Sequence, residues 1–195
     1  MEMRTELKRL HMETDSTFVY VTHDQLEAMT LSTKICLLKN GILQQYEPPL
    51  VVYNNPINCF TADFVGSPTI NFIKMSAQKV SQEKIQLTAG HLHLCFTASS
   101  GEGFINDSQE LLLGIRPECI RISPNGKIEA KVYATLPSGM ETIVTLDVQG
   151  ILLTCVVFGG VDFAVNERVT IDFDTDKNII FDPQSGRNIA RGRLQ

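Results

Sequence analysis

The spacing of hydrophobic and polar residues changes about a third of the way along this chain. Near the start, Met3, Leu7 and Leu10 have the spacing of one apolar helix face, and runs of four or five apolar residues lie between polar ones. Later, short runs of alternating polarity are separated by turn residues, which is typical of β-strands. The pattern therefore predicts an α/β segment over residues 1–66 and an all-β segment over residues 67–195.

The first segment is predicted to contain three strands and four helices. The predicted strands are Thr17–Val21, Ile35–Lys39 and Ile42–Tyr46. The first predicted helix carries the apolar face of Met3, Leu7 and Leu10, and the others are Gln25–Ser32, Leu50–Tyr53 and Cys59–Phe64. In the helix Gln25–Ser32, Leu26 and Met29 are expected to be buried. Asn40-Gly41 predicts a two-residue hairpin. A segment of this length cannot supply the opposing layers of a doubly wound domain, so its apolar surfaces should be partly exposed or covered by another copy.

Ser67-Pro68 marks the predicted boundary, and short strands follow it. They are expected at Asn71–Ser76, Lys84–Thr88, His91–Phe96, Glu110–Ile115, Lys127–Leu136, Glu141–Val148, Ile151–Phe158, Arg168–Phe173 and Ile179–Asp182. Regular spacing of short strands favours a small all-β barrel or sandwich.

Composition limits the classes of function. The 195 residues are 43% hydrophobic, with a net charge of −5, which argues against nucleic acid as a partner. Because no run approaches the ~20 apolar residues of a membrane span, we expect a cytoplasmic protein that meets a membrane only through a partner. Five cysteines without a C-x-x-C pair indicate reduced thiols and no metal site.

The run from Tyr20 to Met29 carries the clearest candidate chemistry. His23 follows the predicted strand, at the end where open α/β sheets bind ligands. Asp24 can cap the next helix, and Glu27 can reach back as in a capping box. An imidazole placed there can donate a hydrogen bond to a phosphate oxygen, although a purely structural role at the helix entry is the alternative.

This run resembles the switch-histidine loop of the ATP-binding subunits of ABC transporters. Four further stretches resemble parts of that family and occur in the same order along the chain. Met3–His11 resembles the helix before the loop, and Leu37–Pro49 resembles the closing hairpin of the ATPase domain. Phe60–Pro68 and Leu113–Glu118 resemble the start and the middle of the regulatory extension of maltose- and oligosaccharide-type importers. The resemblance implies an α+β protein. Residues 1–66 would be the α/β remnant of an ABC ATPase domain, and residues 67–195 an all-β OB-like (TOBE-type) regulatory barrel.

The resemblance assigns His23 a catalytic role, in which it contacts the γ-phosphate of ATP. The chain contains no G-x-x-x-x-G-K-[ST] phosphate loop and no Ser-Gly-Gly-Gln signature. We therefore expect it to correspond to the C-terminal portion of such a subunit. The resemblance implies ATP and Mg as cofactors of the intact protein. This chain alone is expected to bind no cofactor and to be inactive. Whether it should be classed as an enzyme is therefore left open.

Two motifs of the second segment match the regulatory extension. Their residues are Gly114, Arg116, Pro117 and Glu118 in the first motif and Gly139 and Glu141 in the second. Pro117 fixes its own φ and disfavours helix at Arg116, which predicts a rigid turn with two opposite charges close together. Each motif is read either as a structural turn or as a contact for a regulatory protein or a second regulatory domain.

The resemblance implies a part in ATP-driven import, with sugar as the expected cargo and polyamines, glycerol phosphate, metal ions or oxyanions as alternatives. The implied partners are a second copy in a homodimer, the membrane-spanning permease subunits that hold the protein at the inner face of the membrane, and a regulatory protein or small ligand. A different class of function is also open, namely a non-enzymatic OB-like module for binding and dimerisation.

Overall fold

The structure, a computed structural model, describes residues 2–14, 16–81, 84–100, 109–173 and 176–195. The chain divides into two compact units, Met1–Gly66 and Ser67–Gln195. Helices are confined to short stretches, and most regular structure is β. Within the described ranges, none of the helices combines the length and the apolar character needed to traverse a lipid bilayer.

The first unit contains four helices and one β-hairpin. They are α1 (Glu2–Thr14), α2 (Gln25–Leu31), β1 (Ile35–Lys39), β2 (Ile42–Glu47), α3 (Pro49–Asn54) and α4 (Cys59–Phe64). The predicted hairpin is confirmed, with φ of 51° at Asn40 and 77° at Gly41, the left-handed values that such a turn requires. A small core of Leu37, Val52 and Val65 lies beneath it.

The predicted strand Thr17–Val21 is wrong. Among the described residues this stretch pairs with no strand, and Val19 and Val21 are 90% and 92% exposed. Since strands need neighbours to satisfy their backbone groups, β-branched residues alone do not form one. The burial of Leu26 is also wrong, because α2 has no buried residue; only Met29 packs against the small core.

The second unit contains eleven strands and one 3-10 helix among its described residues. They are β3 (Asn71–Lys79), β4 (Lys84–Ala89), β5 (Leu92–Ser100), β6 (Gln109–Ile115), the 3-10 helix Pro117–Cys119, β7 (Arg121–Ile122), β8 (Ile128–Pro137), β9 (Glu141–Val148), β10 (Ile151–Phe158), β11 (Arg168–Asp172), β12 (Asn178–Phe181) and β13 (Asn188–Leu194). All nine predicted strands are present; β9 and β10 have the predicted bounds, and the other seven differ at one or both ends.

Two strands, β7 and β13, were not predicted. The first has only two residues, too few for a periodic pattern. The second contains Gly192, whose presence weakens the sequence signal for a strand. The structure explains this glycine, because a Cβ added there would collide with the backbone carbonyl of Thr97 on β5.

Two sheets share the hydrophobic core of the second unit. One is a closed barrel in the order β12-β13-β5-β4-β3-β6, and the other is a five-stranded sheet in the order β10-β9-β8-β11-β7. On β9 every second residue is buried, from Thr142 to Val148. The predicted barrel is therefore present, but a single small barrel does not account for the second sheet.

Candidate functional site

His23 lies in the segment that leads into α2, and its side chain is exposed. Asp24 is the N-cap residue of this helix, with φ −82° and ψ 113°, and its Oδ1 accepts a hydrogen bond from the Glu27 amide at 3.1 Å. The predicted cap is confirmed. Among the described residues the imidazole itself makes no hydrogen bond, so the adjoining backbone sets its direction.

The carboxylate of Glu27 does not complete the predicted capping box. It accepts hydrogen bonds instead from the hydroxyls of Tyr20 at 3.0 Å and Thr22 at 2.8 Å. The Asp24 amide donates to Thr22 Oγ1 at 3.0 Å. The hydrogen bond to Glu27 raises the pKa of the Tyr20 phenol above its ordinary value. Two side chains that precede His23 therefore converge on one carboxylate that follows it.

Arg4 connects helix α1 to the same carboxylates. Its Nη2 lies 3.0 Å from Asp24 Oδ2, and its Nε lies 3.7 Å from Glu27 Oε1. Further along α1, Lys8 donates to the Thr30 carbonyl at 3.3 Å. Sequence reasoning missed Arg4, Tyr20 and Thr22, because long-range polar contacts leave no periodic signal in a sequence.

An exposed imidazole on a braced segment can donate a hydrogen bond to an anion that approaches from solvent. The two carboxylates beside it would repel such an anion, and Arg4 offsets part of their charge. Across the described part of the chain, no three His, Cys, Asp or Glu side chains are arranged to hold a metal ion.

The first regulatory motif lies at the end of β6 in the barrel. Gly114 pairs with Phe72 on β3 and Ile179 on β12. Arg116 is buried, Pro117 begins the 3-10 helix, and Glu118 is exposed. The Cys119 amide closes this turn by donating to the Arg116 carbonyl at 2.9 Å. The motif forms a compact corner from which only the Glu118 side chain extends into solvent.

The second motif is the turn between β8 and β9, in the five-stranded sheet rather than the barrel. Gly139 has φ of 92°, and the Ser138 amide donates to the Glu141 carbonyl at 2.8 Å. The buried Thr142 hydroxyl donates to the Val161 carbonyl at 3.0 Å. Met140, at the tip, is 86% exposed. The two regulatory motifs thus lie on different sheets and do not form one site.

Exposed apolar residues surround this turn. Leu136 and Phe158 lie on either side of β9, opposite Ile143 and Glu141 respectively, and Phe158 is 77% exposed. The Gly159 amide donates to the Met140 carbonyl at 2.9 Å, which places the end of β10 beside the turn. We call Leu136, Met140 and Phe158 the hairpin patch.

Comparison with known proteins gives one family match and a set of relatives. Residues 113–181 match the TOBE domain. Over 189 residues, 95% of this chain and 51% of the relative, the sequence is 35% identical to an uncharacterized ABC transporter ATP-binding protein, YcjV, of Escherichia coli O6:K15:H31 (strain 536 / UPEC).

Two further relatives have more specific names. The maltose/maltodextrin import ATP-binding protein MalK of Mannheimia succiniciproducens is 39% identical over 76% of this chain and 41% of its own length. The osmoprotective compounds uptake ATP-binding protein GgtA of Synechocystis is 36% identical over 75% of this chain and 45% of its own length. The chain spans about half the length of the curated relatives it matches.

Proposed function

We propose that this chain, which belongs to the family of ABC transporter ATP-binding proteins and contains a TOBE domain, supplies the histidine of an ATP site and the β-domain of an import subunit. The observation that carries this proposal is the exposed imidazole of His23 beside the N-cap of α2. The residues on both sides of it are hydrogen-bonded, so its position relative to α2 is defined.

His23 would act as a hydrogen-bond donor to the γ-phosphate of ATP bound with Mg. Phosphoryl transfer depends mainly on positioning and on stabilising charge, so one donor aimed at the γ-phosphate oxygens raises the rate. The phosphate loop and signature would be contributed by sequence outside residues 1–195, in the manner of relatives that are about twice as long. The proposed activity therefore belongs to the assembled subunit.

A chimera tests the role of His23. Residues 1–195 are joined to the upstream half of the Mannheimia maltose/maltodextrin import protein, and ATP turnover is measured. We expect His23→Ala to lower kcat by about 100-fold or more, the usual cost of losing one such donor, with a smaller change in KM. His91→Ala, which removes another exposed histidine, is the matched control and should leave both constants unchanged.

An equal loss of kcat and ATP affinity, or no loss, would instead indicate a structural histidine. That result would remove the basis for placing this segment at the γ-phosphate.

For the cargo and location we propose sugar import at the cytoplasmic face of the membrane, through permease subunits. The support is the similarity to a relative whose name specifies maltose and maltodextrin. Other small solutes are the alternative cargo, because another relative is named for the uptake of osmoprotective compounds.

For the β-domain we propose a contact with another protein, first of all a second copy of this chain in a homodimer. The hairpin patch supports this, because exposed apolar residues grouped at one end of a sheet are typical of interaction surfaces. Glu118 and Glu141 are the candidate polar contacts. The same patch favours the second candidate function, a non-enzymatic module that binds a regulatory protein or ligand without ATP.

A further inference from the structure

His23 lies between a segment that pairs with no strand in the described part of the chain and a helix of only seven residues. Neither element alone holds it firmly, since a lone extended segment has no ladder and a short helix is marginal in water. Its imidazole also makes no hydrogen bond among the described residues. The direction in which it points must therefore come from side chains that fasten the backbone on both sides of it.

Most of the side-chain contacts around the histidine involve two carboxylates. Glu27 accepts from Tyr20 and Thr22 before the histidine, and Asp24 caps α2 after it. Arg4, on helix α1, contacts both carboxylates: its Nη2 lies beside Asp24 and its Nε beside Glu27. A guanidinium suits this task, because its donors lie in a rigid plane and can serve two acceptors at once.

From this geometry we infer that Arg4 is a positioning residue for His23: it clamps Asp24 and Glu27, and through them fixes the backbone that carries the imidazole. The catalytic meaning of this inference rests on the proposed function of His23. The structural part does not, since it concerns only contacts within residues 4–27. The clamp also ties α1 to the histidine segment, so a displacement of α1 would move His23.

Amide hydrogen exchange in the full chain, followed by NMR, tests the clamp. The reporting amides are those of Asp24 and Glu27, which donate to Thr22 Oγ1 and Asp24 Oδ1. We expect Arg4→Ala to accelerate their exchange about three- to fivefold, as loss of a partly exposed ion pair of ordinary strength would. Lys8→Ala, on the same helix but bonded to Thr30, is the matched control and should leave both amides unchanged.

Arg4→Lys provides a finer readout. It keeps the positive charge, but one compact ammonium cannot reproduce two contacts made by separate nitrogens, so we expect intermediate exchange. Unchanged exchange in Arg4→Ala, or an equal acceleration in Lys8→Ala, would overturn the inference.

ATP turnover of the chimera, measured with Arg4 and His23 variants, tests whether Arg4 acts on the reaction through His23. We expect Arg4→Ala to lower kcat several-fold with KM unchanged, and to have no further effect when His23 is already alanine. Additive losses would overturn the inference. If His23→Ala leaves turnover unchanged, the proposed function fails, while amide exchange still decides whether Arg4 holds the segment.

Discussion

At the scale of single residues, Gly114 shows how a motif can be explained by packing. A Cβ added at this position would lie 2.8 Å from the Phe181 ring and 3.0 Å from Ile70 Cδ1. The Phe181 ring already packs edge-on against Phe72, with ring centroids 5.7 Å apart. Because a closed barrel cannot widen at one strand without moving its neighbours, any side chain here strains the core.

We therefore expect Gly114→Ala to lower the free energy of unfolding by about 1–3 kcal/mol, the usual cost of overpacking. Chemical denaturation followed by circular dichroism measures this. Gly160→Ala is the control, since nothing lies within 4 Å of a Cβ there, and it should change stability by less than about 0.5 kcal/mol. Equal stability of the two variants would show that the barrel yields at this point.

At the scale of elements, Asn71 on β3 joins the barrel to the five-stranded sheet. Its amide nitrogen donates to the carbonyls of Ile115 at 3.1 Å and Thr154 at 2.8 Å, and its oxygen accepts from the Thr154 amide at 2.7 Å. The side chain thus bonds to the outer edge of β10 as a neighbouring strand would. Edge strands left open are sites of unwanted pairing, so this contact also protects β10.

Asn71→Ala should lower the free energy of unfolding by about 1–3 kcal/mol, because it leaves partly buried backbone groups of Thr154 and Ile115 without their partner. Gln78→Ala, an exposed change on the same strand, is the control and should be nearly neutral. Exchange of the Thr154 amide with solvent, followed by NMR, should accelerate in Asn71→Ala alone. Protection that persists at Thr154 would contradict this account.

At the scale of the whole molecule, the two units differ in how well they bury apolar residues. In the first unit Phe18, Val19, Tyr20 and Val21 are all at least half exposed, and the buried core contains few residues. The second unit has an extensive core shared by both sheets. Exposed apolar surface tends to find a partner or to aggregate, so both units offer surface for association.

We predict a homodimer formed mainly through Ser67–Gln195. Light scattering after size exclusion, on the full chain and on residues 67–195, should give twice the monomer mass for both at concentrations well above micromolar. In the full chain Phe158→Asp should weaken the dimer, while Val80→Asp, a similar change at another exposed apolar position, should not. A two-fold contact uses the same patch twice, which amplifies the effect of the patch variant.

A monomer in both forms would contradict this prediction. A dimer found only for the full chain would place the contact in the first unit instead.

The sequence by itself determined the elements whose signals are local. The Asn40-Gly41 turn, the Asp24 cap and the nine predicted strands, several of which alternate in polarity, depend on near neighbours in the chain and on which face is buried, so local sequence patterns predict them. It also placed His23 before a capped helix. The arrangement of strands into a barrel and a separate sheet is not local, because pairing partners lie far apart in the chain.

Only the tertiary structure decided what depends on distant neighbours. Thr17–Val21 has the composition of a strand but forms none, because no neighbouring strand among the described residues completes its hydrogen bonds. Arg4 lies twenty positions from Asp24, and no sequence period relates them, yet they are in contact at 3.0 Å. Local propensity thus predicts elements, whereas hydrogen-bond satisfaction and packing between distant segments determine which elements persist and which side chains surround His23.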